Sequence, residues 1–229
     1  MRAPETGAGK KSENQGAKRR PPFLAPSKPT PQASPDEVRP LSVPYSLAVQ
    51  QVRIAAERLA LLHLAFAETL VEEFGAERGR QLVAKAIKRY GRDIGTAVRE
   101  GVQAQGLSLD PANYGAGTAR DLPEFGMHDR IEEFEEKGRR LIRSYGCVLA
   151  DVWRRRGRSD LGRLYCYVDP AKYMAFNPDF KLVHLKSEPD GDPYCEFELC
   201  RTRDEDKRLF ASDDPGWVAV DRPDCGRSG

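Results

Sequence analysis

Six side chains between residues 147 and 195 are of types that do chemistry: Cys147, Cys166, Asp169, His184, Asp192 and Cys195. A thiol attacks or binds metal only as thiolate, which at neutral pH takes a neighbouring cation or a helix N-terminus, and the sequence shows no such neighbour. A carboxylate orients or deprotonates water. Each residue also has a structural explanation. Cys is a frequent small core hydrophobe, a role that suits Cys195 and Cys200 on a strand. Asp169 followed by Pro170 reads as an N-cap with proline at the first helical position, although a carboxylate three residues after Cys166 at a helix entrance could also orient water. Asp192 lies in PDGDP, where carboxylates bond their own backbone. For His184 three readings stay open: structural histidine, acid or base, and metal ligand. Cys166, His184 and Cys195 allow a mixed sulfur and nitrogen zinc site but match no standard zinc spacing. P-loop, GxGxxG, HExxH, GxSxG and CxxC signatures are missing, which removes most common enzyme classes.

These residues need elements to hold them. Val52, Ala55, Leu59, Leu62, Phe66, Leu70 and Phe74 recur at steps of three and four, an amphipathic helix ended by Gly75. A second helix follows, with Leu82, Val83, Ala86, Ile87, Tyr90, Ile94, Val98 and Val102 on its apolar face and Arg80, Lys85, Lys88, Arg89 and Arg99 on the other. The two predict a helical hairpin. Gly91 and Gly95 inside the second mark a kink or a close helix contact. Residues 106–128 read as a loop. RIEEFEEKGRRLIRSYG is either a charged helix or a hairpin turning at Lys137 and Gly138, and the cost of a mid-helix glycine favours the hairpin. CVLADVWRRRG and SDLGRLYCYV have helical spacing, with Ser159 or Asp160 as cap of the second. FKLVHLKSE and YCEFELCRTR are strands joined by an Asp-Gly turn, and alternation points Cys195, Phe197 and Leu199 inward, opposite Glu196 and Glu198. Helices first and strands afterwards give an α+β class: a helical N-terminal half packed on a small antiparallel sheet with a C-terminal β-hairpin.

Composition sets the frame. The chain has 229 residues and a net charge of +2, so no whole-molecule field argues for nucleic acid or an anionic membrane. Residues 1–44 hold nine of the seventeen prolines and eight Lys and Arg, Lys18, Arg19 and Arg20 among them, against four acids, the signature of a disordered basic tail. Residues 45–203 are expected to form a single α+β domain, and 204–229 a loosely attached C-terminal tail carrying Trp217 and an inert Cys225. No secretory signal or membrane span is legible, and five cysteines at irregular spacing fit a reducing compartment, so the expected location is cytoplasmic.

Taken together, GCVLADVWRRRGRSDLGRLYCYVDPAKYMAFNPDFKLVHLKSEPDGDPYCEF resembles the L-2-amino-thiazoline-4-carboxylic acid hydrolase family in the order of its parts: a Cys opening a helix, LYCYVDP, an Asn-Pro-Asp-Phe step, and GDPYCEF. RGRQLVAKAIKRYGRDIG upstream is similar to the family's helical part, and the resemblance spans roughly residues 50–200. It implies a hydrolase that opens a cyclic amidine, L-2-amino-Δ2-thiazoline-4-carboxylate, to N-carbamoyl-L-cysteine. On the matching positions, Cys166 or Cys195 is the nucleophile or proton donor, Asp169 the base or orienting acid, and Cys147 and His184 contact the substrate. The GD-x-x-C-x-F ending is also similar to small-molecule-binding domains of the 4-vinyl-reductase type, in which cysteines and an acid hold zinc. Here the positions eight and eleven before Cys195 are Ser187 and His184, so that ligand set is incomplete and no cofactor is expected. The alternative to the hydrolase is therefore a non-catalytic binding module. The expected partner is a small-molecule substrate, without nucleic acid or membrane, and a homo-oligomer is left open.

Overall fold

Two long helices, α1 (Tyr45–Phe74) and α2 (Ala76–Ala104), form the hairpin that their periodicity predicts, turning at Gly75 with φ 79°. The computed structural model describes residues 42–116 and 123–223, so the basic Pro-rich tail up to residue 41 and Cys225 lie outside the described residues. The face that α1 buries is not its large apolar stripe. Ala56, Ala60, His63, Leu64 and Ala67 turn inward, while Leu62 and Phe66 stay 55% and 64% exposed. Small side chains let the helix come close enough for the Trp153 indole to donate to the Ala60 carbonyl at 3.2 Å and for His63 Nε2 to reach the Leu161 carbonyl at 2.9 Å. Backbone groups thereby gain partners that a leucine stripe would hold away.

In α2 the expected apolar face is buried at Val83, Ile87, Val98 and Val102. Lys88, placed by the sequence on the polar face, is buried too, because its ammonium donates to the Ser212 carbonyl at 2.6 Å and lies over the Phe210 and Trp217 rings. Gly91 and Gly95 mark a close helix contact: the helix continues through both, and the short helix spanning Val168–Phe176 packs against them.

Past a 3-10 turn at Pro111–Ala116 the sheet begins. Strands β1 (Arg130–Glu136) and β2 (Arg139–Tyr145) are antiparallel and turn at Lys137 and Gly138, both at positive φ (52° and 72°), the two-residue hairpin geometry that matches strand twist. Next come α3 (Val148–Arg155), α4 (Ser159–Gly162), a 3-10 turn over Arg163–Tyr167 and α5 (Val168–Phe176). Strands β3 (Phe180–Lys186) and β4 (Cys195–Arg201) complete a four-stranded antiparallel sheet in the order β1-β2-β4-β3. The class is α+β: the helical hairpin precedes the sheet, α3 to α5 stand between its two strand pairs, and the β3–β4 hairpin completes it. Neither Ser159 nor Asp160 caps α4, where Arg158 holds the N-cap position, and Asp160 pairs instead with Arg80 of α2. Cys195 is buried as alternation requires, but Glu196 and Glu198 opposite are buried too, because Arg143 and Arg139 of β2 pair with them.

The stretch from Asp204, expected as a loose tail, is folded through Asp221. It forms α6 (Asp204–Ala211) and a 3-10 turn over Pro215–Val220. Phe210, Trp217 and Val220 pack on Ala171 and Met174 of α5. Lys181 of β3 and Asp206 of α6 form a fully buried ion pair at 3.1 Å, with Lys181 also donating to the Val220 carbonyl at 3.0 Å. Three apolar anchors and one buried pair carry this segment. With so few anchors and no period, it has no helix or strand signature to read.

Candidate functional site

Five of the six residues singled out by sequence converge where the N-termini of α3 and α5 meet the ends of β3 and β4. Cys147 is the residue before α3, Cys166 lies on the 3-10 turn leading into α5, and Cys195 starts β4. The three thiols lie close enough for Cys166 to feel the charge of Cys147, Cys195 and Asp169. His184 joins them through Asp169, its Nε2 standing 3.5 Å from Asp169 Oδ2.

Asp169 is not the helix cap. Tyr167 holds that position, and Asp169 sits inside the first turn of α5, where the helix dipole favours a carboxylate. Its oxygens face Lys172 Nζ at 2.8 Å, one turn along, and His184 Nε2. Relieved of capping, the carboxylate is aimed at the other functional groups. Asp192, by contrast, does what its turn predicts: it accepts from the Ser187 amide at 2.8 Å.

His184 is fixed from its other side. Nδ1 lies 3.2 Å from both oxygens of Asp221, and Asp221 Oδ1 also accepts from the His184 amide at 2.8 Å. The imidazole packs tilted against Phe197, its partner across the β3–β4 ladder, with ring centroids 4.6 Å apart, and a bulge follows immediately before Lys186. Bulges re-aim side chains beside functional sites, and this one ends regular pairing just after the histidine. Asp221 Oδ2 accepts from Arg163 Nη2 at 2.8 Å, while Arg163 Nε donates to Asp190 at 2.8 Å. The remaining nitrogen of that guanidinium, Nη1, is buried without a hydrogen-bond partner among the described residues.

Burial sets the thiols' protonation. It pushes Cys147 up to about 11 even though the Ala150 and Leu149 amides at the α3 N-terminus pull the other way. It pushes Cys195 up to about 12 against the Glu188 amide, which donates to Sγ at 3.3 Å. Cys166 is also raised well above its ordinary value, burial outweighing Arg163 beside it. A cation and a helix N-terminus are therefore present, yet all three sulfurs are protonated at neutral pH. Burial also favours neutral Asp221, but His184 and Arg163 outweigh it and bring the carboxyl down to about 2. His128, on the turn before β1, is held neutral first by burial; Asp169 opposes that and Lys172 reinforces it, and His128 Nδ1 is buried without a partner. Cys200, on the other face of β4, is disulfide-bonded, a departure from the expectation of reduced thiols.

Sequence reading missed Arg163, Lys172, His128 and Asp221. Arg163 and Lys172 stand three residues before Cys166 and three after Asp169, a helical neighbour spacing that was legible. His128 and Asp221 come from segments without periodicity, and no local signal marks them. Among the described residues no group of three or more His, Cys, Asp and Glu is arranged to hold a metal ion. No helix among them is long and apolar enough to cross a membrane. An open cleft of about 440 Å³ lined by Arg92, Arg99, Met174, Lys207 and Phe210 includes none of the candidate site residues.

A family model described as L-2-amino-thiazoline-4-carboxylic acid hydrolase matches residues 53–199. No curated protein and no solved structure matches the chain.

Proposed function

Since the chain belongs to the L-2-amino-thiazoline-4-carboxylic acid hydrolase family, we propose that it hydrolyses a cyclic amidine of the thiazoline type, opening the ring of L-2-amino-Δ2-thiazoline-4-carboxylate to N-carbamoyl-L-cysteine. The observation that carries this reading is the placement of Asp169, whose carboxylate faces both Lys172 and His184 beside three neutral thiols. Hydrolysis needs a base for water, a proton source for the ring, and a cation for the substrate carboxylate. Asp169 takes the proton of the attacking water as the oxygen bonds to the amidine carbon. That proton passes through His184 Nε2 to the ring nitrogen, and the second proton, given up by the added hydroxyl as the carbonyl forms, follows by the same route to the departing sulfur as the carbon–sulfur bond breaks. One water is consumed, and the product gains a urea carbonyl and a free thiol.

Arg163 Nη1, a buried donor with no partner, suits the substrate carboxylate. Protonated thiols at Cys147, Cys166 and Cys195 are weak nucleophiles, so their burial favours a role as a neutral, water-excluding wall against the ring sulfur over attack by Cys166 or Cys195. Either role predicts that Cys166→Ser and Cys195→Ser each lower turnover without unfolding the chain.

The test is to incubate purified protein with the thiazoline carboxylate and follow N-carbamoyl-cysteine and free thiol. Steady release of both is expected, and metal analysis of the same sample shows whether an ion accompanies it. Absence of turnover with saturable binding retained would sink the hydrolase and leave a small-molecule-binding module.

A further inference from the structure

We infer that Asp221 is a positioning residue, supplied by the C-terminal segment from outside the family-matched residues 53–199, that sets the tautomer of His184 and the fork of Arg163 together. This rests on the reading of His184 as the proton carrier of the site.

The carboxylate is nearly completely buried, with 1% of its side chain exposed, and among the described residues its hydrogen bonds and ion pairs all go to these two residues. Oδ1 accepts from the His184 main-chain amide, both oxygens lie 3.2 Å from Nδ1, and Oδ2 accepts from Arg163 Nη2. A carboxylate has no proton to offer, so the proton in the Nδ1 contact belongs to the histidine. That leaves Nε2 for Asp169 and the substrate. The charges facing His184 are Asp221 from the C-terminal segment and Asp169 from α5; those facing Asp221 are His184 from β3 and Arg163 from the turn before α5. Burying a carboxylate is costly unless it is paired and hydrogen-bonded on all sides, which is the case here. Asp221 reaches this point because Trp217 and Val220, just before it, are anchored in the core. A histidine oriented at one nitrogen by a buried carboxylate, leaving the other for chemistry, is the arrangement that acyl-transfer triads use.

Because Asp190 holds the same guanidinium without touching His184, two variants separate the two functions. Asp221→Asn should keep its carbonyl oxygen on the Arg163 guanidinium, turn its amide nitrogen towards His184 Nδ1, and drop kcat on the order of 10²- to 10⁴-fold. Asp190→Asn should raise KM with kcat nearly unchanged. The decisive readout does not need turnover: long-range ¹H–¹⁵N correlation of the imidazoles, with His184 assigned by its loss in His184→Gln. In the wild-type protein His184 Nδ1 should carry a proton, and in Asp221→Asn the population protonated at Nε2 alone should appear. An unprotonated Nδ1 in the wild-type protein overturns the inference, whether or not the variant folds. So does an unchanged tautomer in a folded Asp221→Asn. If the wild-type protein turns over no thiazoline, the proposed function falls and the tautomer result still decides the role of Asp221.

Discussion

The carbonyl oxygen of Lys172 occupies the space that a side chain at position 95 would need: a methyl group on Gly95 would lie 2.1 Å from it and 2.8 Å from the Ala175 methyl. One turn earlier, a methyl on Gly91 would meet the Ala171 methyl at 2.5 Å. The two glycines, one turn apart, are the groove in which α5 lies on α2. Through that groove the backbone of α2 sets the height of Asp169 and Lys172 relative to His184 on the sheet.

Gly95→Ala should therefore act on the site and not on α2 alone. Alanine favours an isolated helix by up to about 1 kcal/mol over glycine. Against that, forcing α5 outward from a backbone contact costs about 1–3 kcal/mol, so the net change should be destabilising. Turnover should fall as well, because the displaced α5 carries Asp169 away from His184. A urea denaturation midpoint and a rate at saturating substrate measure both. Higher stability with full turnover would show that α5 is not held by this contact.

The buried thiols make a prediction about reactivity. With Cys147 at about 11 and Cys195 at about 12, the thiolate fraction near pH 8 is lower by about 100-fold or more than for an ordinary cysteine near 9. Iodoacetamide should alkylate these two at least about 100 times more slowly in the native protein than after unfolding, with Cys166 slowed in the same direction, as peptide mass mapping would read. The same shifts imply alkaline lability. The folded thiols keep their protons above pH 9 while the unfolded ones lose theirs, so stability should decline as pH rises from about 9 towards 11. Rapid native labelling of Cys166 at pH 8 would mean that it is a thiolate and would return it to the role of nucleophile.

Asp169 allows the two explanations of one residue to be separated. A capping aspartate is replaced well by serine. A carboxylate facing Lys172 and His184 is not. Asp169→Ser should leave the thermal midpoint within a few degrees of the wild type and remove turnover by on the order of 10²-fold or more. Retained turnover would return the residue to a structural role.

What the sequence made legible follows from where periodicity exists. The helical hairpin, the turn at Lys137 and Gly138, the inward Cys195 and the gathering of three cysteines with Asp169 and His184 all came from spacing, turn chemistry and the order of motifs. The inner face of α1 did not, because alanines pack by letting backbones approach and carry little hydrophobic signal of their own. The role of Asp169 was hidden by a capping pattern that local sequence satisfies and the fold does not use. Asp221 was out of reach for a different reason: its partners Arg163 and His184 lie 58 and 37 residues away, and the segment around it has no period.

That segment supplies its own test. Ending the chain after Arg203 removes Phe210, Trp217 and Val220 from the core and leaves Lys181, 0% exposed, without Asp206. An uncompensated buried charge costs about 3–5 kcal/mol and the lost aromatic anchors about as much again, which together approach the whole stability of a domain this size. The truncated protein should be insoluble or show no cooperative thermal transition by circular dichroism. A truncated chain that melts like the full one would mean that the segment rests on the domain without holding it.

Acid should remove the stability that Asp221 contributes. Its carboxyl is held down to about 2 in the folded chain against an ordinary value of 3.8, so the unfolded chain binds its proton at higher pH than the folded one. The sign follows: stability from Asp221 is fully present above about pH 4 and is lost as pH falls towards 2, roughly 2 kcal/mol in all. Asp206, also held low despite its burial by the Arg203 amide and Lys181, falls in the same direction, whereas Glu188, raised by burial, works against it. The comparison that isolates Asp221 is therefore the difference between wild type and Asp221→Asn in urea midpoints measured from pH 5 to pH 2. Asparagine has no proton to gain, so the variant should start less stable at pH 5 and the gap should narrow as pH drops. A gap that stays constant across that range would show that the Asp221 carboxylate is not held by charge, and its bonds to Arg163 and His184 would then be worth no more than those of a neutral amide.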